Sequence, residues 1–219
     1  MKKVLTFAAA IMLFAGMASA QLGIHVGYAP QTYTSTYTSG SNTTTTTTDM
    51  TGLFAGIDYN VNITGDLNVS VGLQGRYNMS SDTVSAGLGT LVGGSVENKY
   101  TQMLIDVPVL FNYGLNLSDA LKISVFAGPT VNFALSGNTH TTTTATVLGS
   151  TSTTESDSDW YGDNSNRKKL DIAFTVGAAV TFSDIKIFGG YNMGLLNLTT
   201  ADNTTLKGSN LFIGVGYNL

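Results

Sequence analysis

The sequence contains no cysteine, which excludes a disulfide framework, thiolate metal sites, a cysteine nucleophile and a lipid anchor on cysteine. Charge is scarce too. Asp, Glu, Lys and Arg make up 11% of 219 residues, against about a quarter in an ordinary soluble domain. A water-facing surface on such a chain has to be built from Thr, Ser, Asn and Gly. The net charge is −4 and Lys and Arg are not clustered as phosphate backbones demand, so nucleic acid is not an expected partner. Histidine occurs only as His25 and His140, and neither has a partner that spacing can nominate for acid–base or nucleophilic chemistry. Glu155, Asp157 and Asp159 lie close together without EF-hand spacing and read as a solvated acidic loop. No cofactor, metal site or catalytic residue is expected, and the chain does not read as an enzyme. Beyond residue 20 there is also no apolar run long enough to cross a bilayer as a helix, so membrane residence would have to be of the barrel type.

Residues 1–20 have the three parts of a secretory signal peptide. Lys2 and Lys3 form a positive start, an apolar stretch covers 4–17, and Ala18-Ser19-Ala20 places small residues at −3 and −1 of a cleavage site. Cleavage after Ala20 would leave a single domain, 21–219, with 8 basic and 14 acidic residues.

Within 21–219 no 3.6-residue stripe persists, whereas apolar and polar residues alternate with period two over eight runs. These are 22–28, 53–63, 67–77, 103–113, 121–135, 170–182, 185–195 and 211–219. Tight turns at 64–66, 116–119 and 183–184 alternate with long polar connections at about 32–49, 80–98, 137–168 and 199–207. Short and long connections in strict alternation predict an all-β fold, an eight-stranded antiparallel up-and-down transmembrane β-barrel of the bacterial outer membrane.

Periodicity alone does not say which face points outward, since a soluble lipocalin-like barrel would turn its apolar faces inward. Three features favour lipid outside. The polar faces are poor in charge, they are rich in Gly and other small residues that suit a narrow interior, and Tyr59, Tyr113, Phe182 and Tyr217 form an apolar-face aromatic girdle at the short-turn end. The polar faces then line the lumen, with Asp58, Lys122 and Lys186 near the short turns and Arg76, Asp106 and Asp171 toward the other end. Arg76 and Asp106 fall at similar depth on consecutive runs and are expected to pair. Three positive and three negative groups in an eight-stranded bore suggest a salt-bridged plug rather than a selectivity ring. Expected partners are outer-membrane lipid and lipopolysaccharide, and an extracellular or periplasmic protein; a monomer is expected.

The long connections are the most distinctive part. Residues 43–48 are six consecutive Thr and 141–144 are four. β-branched Thr favours extended structure, so these tracts read either as ribbons that prolong the strands or as solvated low-complexity loops. Trp160-Tyr161, between the acidic cluster and Arg167-Lys168-Lys169, reads as a rim anchor or a recognition patch. Asp82-Thr83-Val84 resembles the Asp-Ser/Thr-hydrophobic acceptor of bacterial O-glycosylation, which makes Thr83 a candidate modification site.

Leu104-Ile105-Asp106-Val107-Pro108-Val109-Leu110 resembles the apolar-x-Ile-Pro-Leu/Val-Leu strand of the PorT-like outer-membrane β-barrel family. Phe126-Ala127-Gly128-Pro129, Tyr191-Asn192-Met193-Gly194-Leu195-Leu196-Asn197 and Leu211-Phe212-Ile213-Gly214-Val215-Gly216-Tyr217 are similar to later segments of that family. The resemblance covers essentially all of 21–219. It implies the barrel fold and, for the name-giving members, links to secretion and gliding machinery; the Thr tracts are not a family hallmark. Two functional classes follow: a structural or adhesin-like surface-interaction barrel, or a small transport pore or accessory of a secretion system. Intact-mass measurement of the native protein is expected to show the signal peptide removed, and a mass equal to residues 21–219 alone would rule out modification at Thr83.

Overall fold

β-branched and aromatic residues alternating with small polar ones favour a pleated, half-buried surface. The described residues of the computed structural model, 20–88, 92–118, 120–148, 150–163 and 165–219, form ten strands. They are β1 (Ala20–Tyr28), β2 (Gln31–Ser39), β3 (Asn42–Thr64), β4 (Leu67–Leu88), β5 (Val92–Asn116), β6 (Leu121–Val147), β7 (Ser150–Asp159), β8 (Leu170–Phe182), β9 (Ile185–Gly194) and β10 (Thr204–Asn218). Most of the expected signal peptide, Ala18 included, lies outside the described residues, and Ala20 stands at the start of β1.

β1 and β2 are two halves of one stave. Pro30, which has no N–H to give to a ladder, sits at the break between them. Both halves pair with β3 on one side and β10 on the other. The antiparallel ladder then runs β3–β4–β5–β6–β8–β9–β10 and closes a ring of eight strands. β7 stands outside the ring and pairs with β6. The tight turn between β3 and β4 needs Gly65, whose φ of 50° a residue with a Cβ rarely adopts.

The wall is turned inside out relative to a soluble protein. Ile24, Ile57, Leu73, Phe111, Val125, Val176, Ile187 and Ile213, one from each stave, are all 47–59% exposed on the outer surface. Asn78, Gln102, Asp106, Arg76 and Gln31 are at most 3% exposed on the inner one. An apolar outer band of this kind has a favourable solvent only in hydrocarbon.

The stretches 32–49, 80–98, 137–168 and 199–207 are not simply loops. β2 and β3 continue as a two-stranded ribbon from Gln31↔Met50 to Ser39↔Asn42, and β10 flanks it from Asn210 to Thr204. β4, β5, β6 and β7 form a second raised sheet. The Thr tracts therefore lie in paired strands, where the β-branched side chain suits the pleat and hydroxyls meet across strands, as for Thr36 with Thr45 (3.4 Å).

The lumen also departs from a uniformly small, polar interior. Phe54, Phe126, Phe188 and Phe212 point inward and meet in a belt with His25, at centroid separations of 5.8–6.3 Å. Each phenyl lies across an inward glycine of the adjacent strand: Phe54 over Gly27, Phe126 over Gly177, Phe188 over Gly214 and Phe212 over Gly190. A Cβ at any of these glycines would come closer than 3 Å to the ring. Small residues at the inner face thus make room for large ones beside them. Gly177→Ala is expected to destabilise the barrel by about 1–3 kcal/mol through overpacking against Phe126 and the Gly189 carbonyl. Gly75→Ala, with nothing within 4 Å of its Cβ, is the neutral control. Urea unfolding followed by the heat-shift of the folded band on a gel measures both.

Candidate functional site

Two features concentrate chemistry: the interior network and the raised, Thr-rich end. At the long-loop end of the lumen the hub is Arg76 on β4. Its guanidinium lies 3.0 Å (Nε to Oδ2) and 3.2 Å (Nη2 to Oδ1) from Asp106 of β5. Nη1 donates to Gln31 Oε1 of β2 (2.6 Å) and Asn210 Oδ1 of β10 (2.9 Å). Gln74 donates to Asp106 Oδ2 at 3.1 Å. The cation on β4 is therefore held by three other wall strands, and the buried ion pair has polar partners beyond itself, as a desolvated pair requires.

Above the hub, Gln102 Oε1 accepts from Tyr33 Oη (2.8 Å) and Asn78 Nδ2 (3.2 Å), while Gln102 Nε2 donates to Tyr161 Oη (2.7 Å). Tyr33, Met50 and Leu198 form a buried cluster under Tyr100, Trp160 and Leu206. Arg167 is sandwiched over the rings of Tyr33 (4.6 Å) and Trp160 (4.1 Å). Trp160-Tyr161 is thus neither an outward rim anchor nor a free recognition patch: the half-buried pair folds into the mouth. A bulge permits this. Met103↔Ser136 is followed by Leu104↔Ala134, which leaves Leu135 as an extra residue on β6. The parity shift turns Gly137 inward, where a Cβ would come within 2.8 Å of both aromatic rings. Burial pushes the Tyr33 phenol up to about 12, and Tyr161 is raised by the same cause. The cavity beside this network measures about 20 Å³, room for about one water.

At the short-turn end Asp58 is the focus. His25 Nδ1 lies 2.9 Å from Oδ1, Asn60 Nδ2 donates to Oδ2 at 2.7 Å, and Lys186 Nζ is 3.4 Å from Oδ2. The carboxylate reaches its partners across Gly23, where a Cβ would sit 3.0 Å from both oxygens. Between the two polar layers lies a cavity of about 100 Å³, lined by the phenyl belt, Pro108, Leu110 and Gln74.

The six charges are therefore not paired three against three. Arg76 joins Asp106, and Asp58 takes both His25 and Lys186. Asp171 accepts instead from the Leu196 amide at 3.3 Å. Lys122 lays its stem over Gly114, and no ion-pair partner for it lies among the described residues. Both histidines have a carboxylate: His25 has Asp58, and His140 has Asp157 at 2.7 Å across the β6–β7 ladder. No group of three metal-ligating side chains occurs among the described residues. Tyr113, Phe182 and Tyr217 are exposed on the outer wall near the short turns, and Tyr59 is partly so.

Residues 18–200 match the outer membrane protein beta-barrel domain family, and the chain belongs to it. The wall is accordingly an outer-membrane barrel. Similar solved structures include Ail, the attachment invasion locus protein of Yersinia pestis (14% identity, 92% of this chain and all of that one, TM-score 0.37). Neisserial surface protein A is 12% identical over 92% of this chain and all of that one (TM-score 0.35). The outer membrane protease OmpT of Escherichia coli is 9% identical over 93% and 99% (TM-score 0.40). No functionally described curated protein matches the chain.

Replacing Arg76 with Met should strand Asp106 in the lumen and cost about 3–5 kcal/mol. Arg76→Met with Asp106→Leu should recover most of that loss. Equilibrium unfolding of wild type, both single variants and the double variant in micelles measures the coupling.

Proposed function

We propose that this protein is a surface-interaction barrel of the adhesin-like kind, in which the wall anchors, the filled lumen braces and the raised Thr-rich sheets meet a partner outside the cell. The reading rests on one contrast. Among the described residues the cavity near the mouth measures about 20 Å³ and the one at mid-lumen about 100 Å³, both small for a pore, whereas two paired sheets stand beyond the apolar band. The eight paired steps from Gln31↔Met50 to Ser39↔Asn42 rise about 26 Å at ~3.3 Å per residue before tilt. Such a ribbon is a poor investment for a pore, which needs space inside, and a suitable platform for contact.

The free strand edges support the same reading. The 42–49 part of β3 pairs with β2 alone, and the 80–88 part of β4 with β5 alone. Exposed strand edges are templates for an added strand. Asp49 is the only charge on the first and Asp82 the only one on the second, whereas the edge strand β7 carries Glu155, Asp157 and Asp159. Thr83 sits exposed on the outer face of β4, opposite Glu97, where a glycan would be accommodated. Membership of the PorT-like branch, and with it an accessory role in secretion, is the alternative reading, supported by the Ile-Asp-Val-Pro-Val-Leu stretch of β5.

Planar-bilayer recording of the purified protein is expected to show no steady conductance. Trimming the ribbons, by deleting 36–45 and 144–153 with an Asn-Gly closure at each cut, should leave folding and impermeability unchanged. The same trimming should abolish capture of the extracellular partner by immobilised protein. A reproducible open channel, or co-purification with a periplasmic complex that survives trimming, would favour the transport and secretion reading.

A further inference from the structure

Above the apolar band the molecule is electrically lopsided. Asp82, Glu97, Glu155, Asp157 and Asp159 stand on the β4–β7 sheet, with Lys99 and His140 already set against Glu97 and Asp157, whereas Lys168 and Lys207 stand above β8–β10, beside Lys169 over the Tyr161 ring. None of Lys168, Lys169 and Lys207 has a carboxylate within 4 Å among the described residues.

Two of them are set in place by a stitched backbone. The Lys168 amide donates to the Leu198 carbonyl and the Leu198 amide to the Leu206 carbonyl, both at 2.8 Å, so three segments run side by side. Asn197 locks them: its Nδ2 donates to the Thr204 carbonyl (3.1 Å), and its Oδ1 accepts from the Leu206 amide (2.9 Å). Its own carbonyl accepts from Lys168 Nζ at 3.1 Å. Leu206 packs inward on the mouth cluster, so strand alternation turns Lys207 outward, onto the face that carries Leu211. Two strand spacings of ~4.8 Å put the origins of Lys168 and Lys207 about 10 Å apart. Beneath them the outer wall presents Met193, Leu195, Leu196 and Leu211, all exposed. The one carboxylate of this connection, Asp202, sits in the exposed turn between β9 and β10.

We propose that this corner binds the phosphorylated headgroup of an outer-leaflet glycolipid of the lipid A class. Its phosphates lie on Lys168 and Lys207, and its acyl chains run down Met193, Leu195 and Leu211. Charge complementarity selects an anion, and the continuation of the cationic pair into the lipid-facing band, past Ser209 to Leu211, selects an anion that carries chains. The site is separate from the ribbon edges, so it stands whether or not the ribbons bind a protein.

The test uses the mature protein in micelles, titrated with acyl-labelled phosphorylated lipid A and followed by fluorescence anisotropy. Lys168→Ala with Lys207→Ala is expected to weaken binding about tenfold or more, at a few-fold per surface cation. Lys168→Arg with Lys207→Arg retains affinity, and Lys99→Ala on the opposite sheet leaves it unchanged. Dephosphorylated lipid A should bind wild type as weakly as the alanine pair binds the phosphorylated form. Equal affinity of the alanine pair and wild type, indifference of wild type to the phosphates, or displacement by inorganic pyrophosphate at similar concentration would each overturn the assignment. The heat-shift of the folded band verifies that each variant is a closed barrel before titration.

Discussion

A peptide backbone surrounded by hydrocarbon has no water to bond with, so every N–H and C=O of the wall must find a partner in the chain itself. The ring of eight strands is the answer to that constraint, and most other features depend on it. Closure fixes a narrow bore. A narrow bore forces each inward side chain to share its level with those of seven neighbours, so bulk at one position requires its absence at the next. The phenyl–glycine pairs of the mid-lumen are that requirement written four times, and Asp58 reaching its partners across Gly23 is the same rule applied to charge.

Closure also governs the polar interior. A charge taken out of water needs partners, and around Arg76 and Asp106 the chain supplies them with amides. Gln31, Gln74 and Asn210 gather around Arg76 and Asp106, and Gln102 links Tyr33, Asn78 and Tyr161 above them. Aromatic and aliphatic groups then roof the mouth, with Arg167 held between two rings rather than against a carboxylate. Polar networks and aromatic rings thus occupy much of the bore, leaving a cavity of about 100 Å³ at mid-height and about 20 Å³ near the mouth.

The wall was largely legible in the sequence because lipid on one side and protein on the other impose a clean two-residue period. Runs such as 170–182 and 185–195 show it within a residue of β8 and β9. The period fades where both faces meet water. There Thr occupies successive positions, as at 43–48, and alternation cannot distinguish a ribbon from a loop even though β2 and β3 pair residue for residue. Reading 32–49 as a connection also hid Tyr33, whose inward position follows from carrying the parity of β1 across Pro30. Arg76 and Asp106 were recognisable as a pair because their depths match on neighbouring strands. Lys186 and Asp58 meet across the bore from β9 and β3, a relation that only closure creates. The Leu135 bulge, which aims Gly137 at the Trp160-Tyr161 lid, leaves no mark on an alternating pattern that merely slips by one.

Arg76 bears on how the ring comes to shut. Its guanidinium bonds to Gln31 near the beginning of the wall and to Asn210 near its end, while Asp106 comes from the middle. A chain that has laid down only β3 to β9 can offer the carboxylate but not the two amides. An open, curled sheet then holds a cation short of acceptors in an interior losing its water. β2 brings Gln31 and β10 brings Asn210, so only docking β10 against β2 completes the set. The hub is therefore complete only in the arrangement in which first and last strands meet in register.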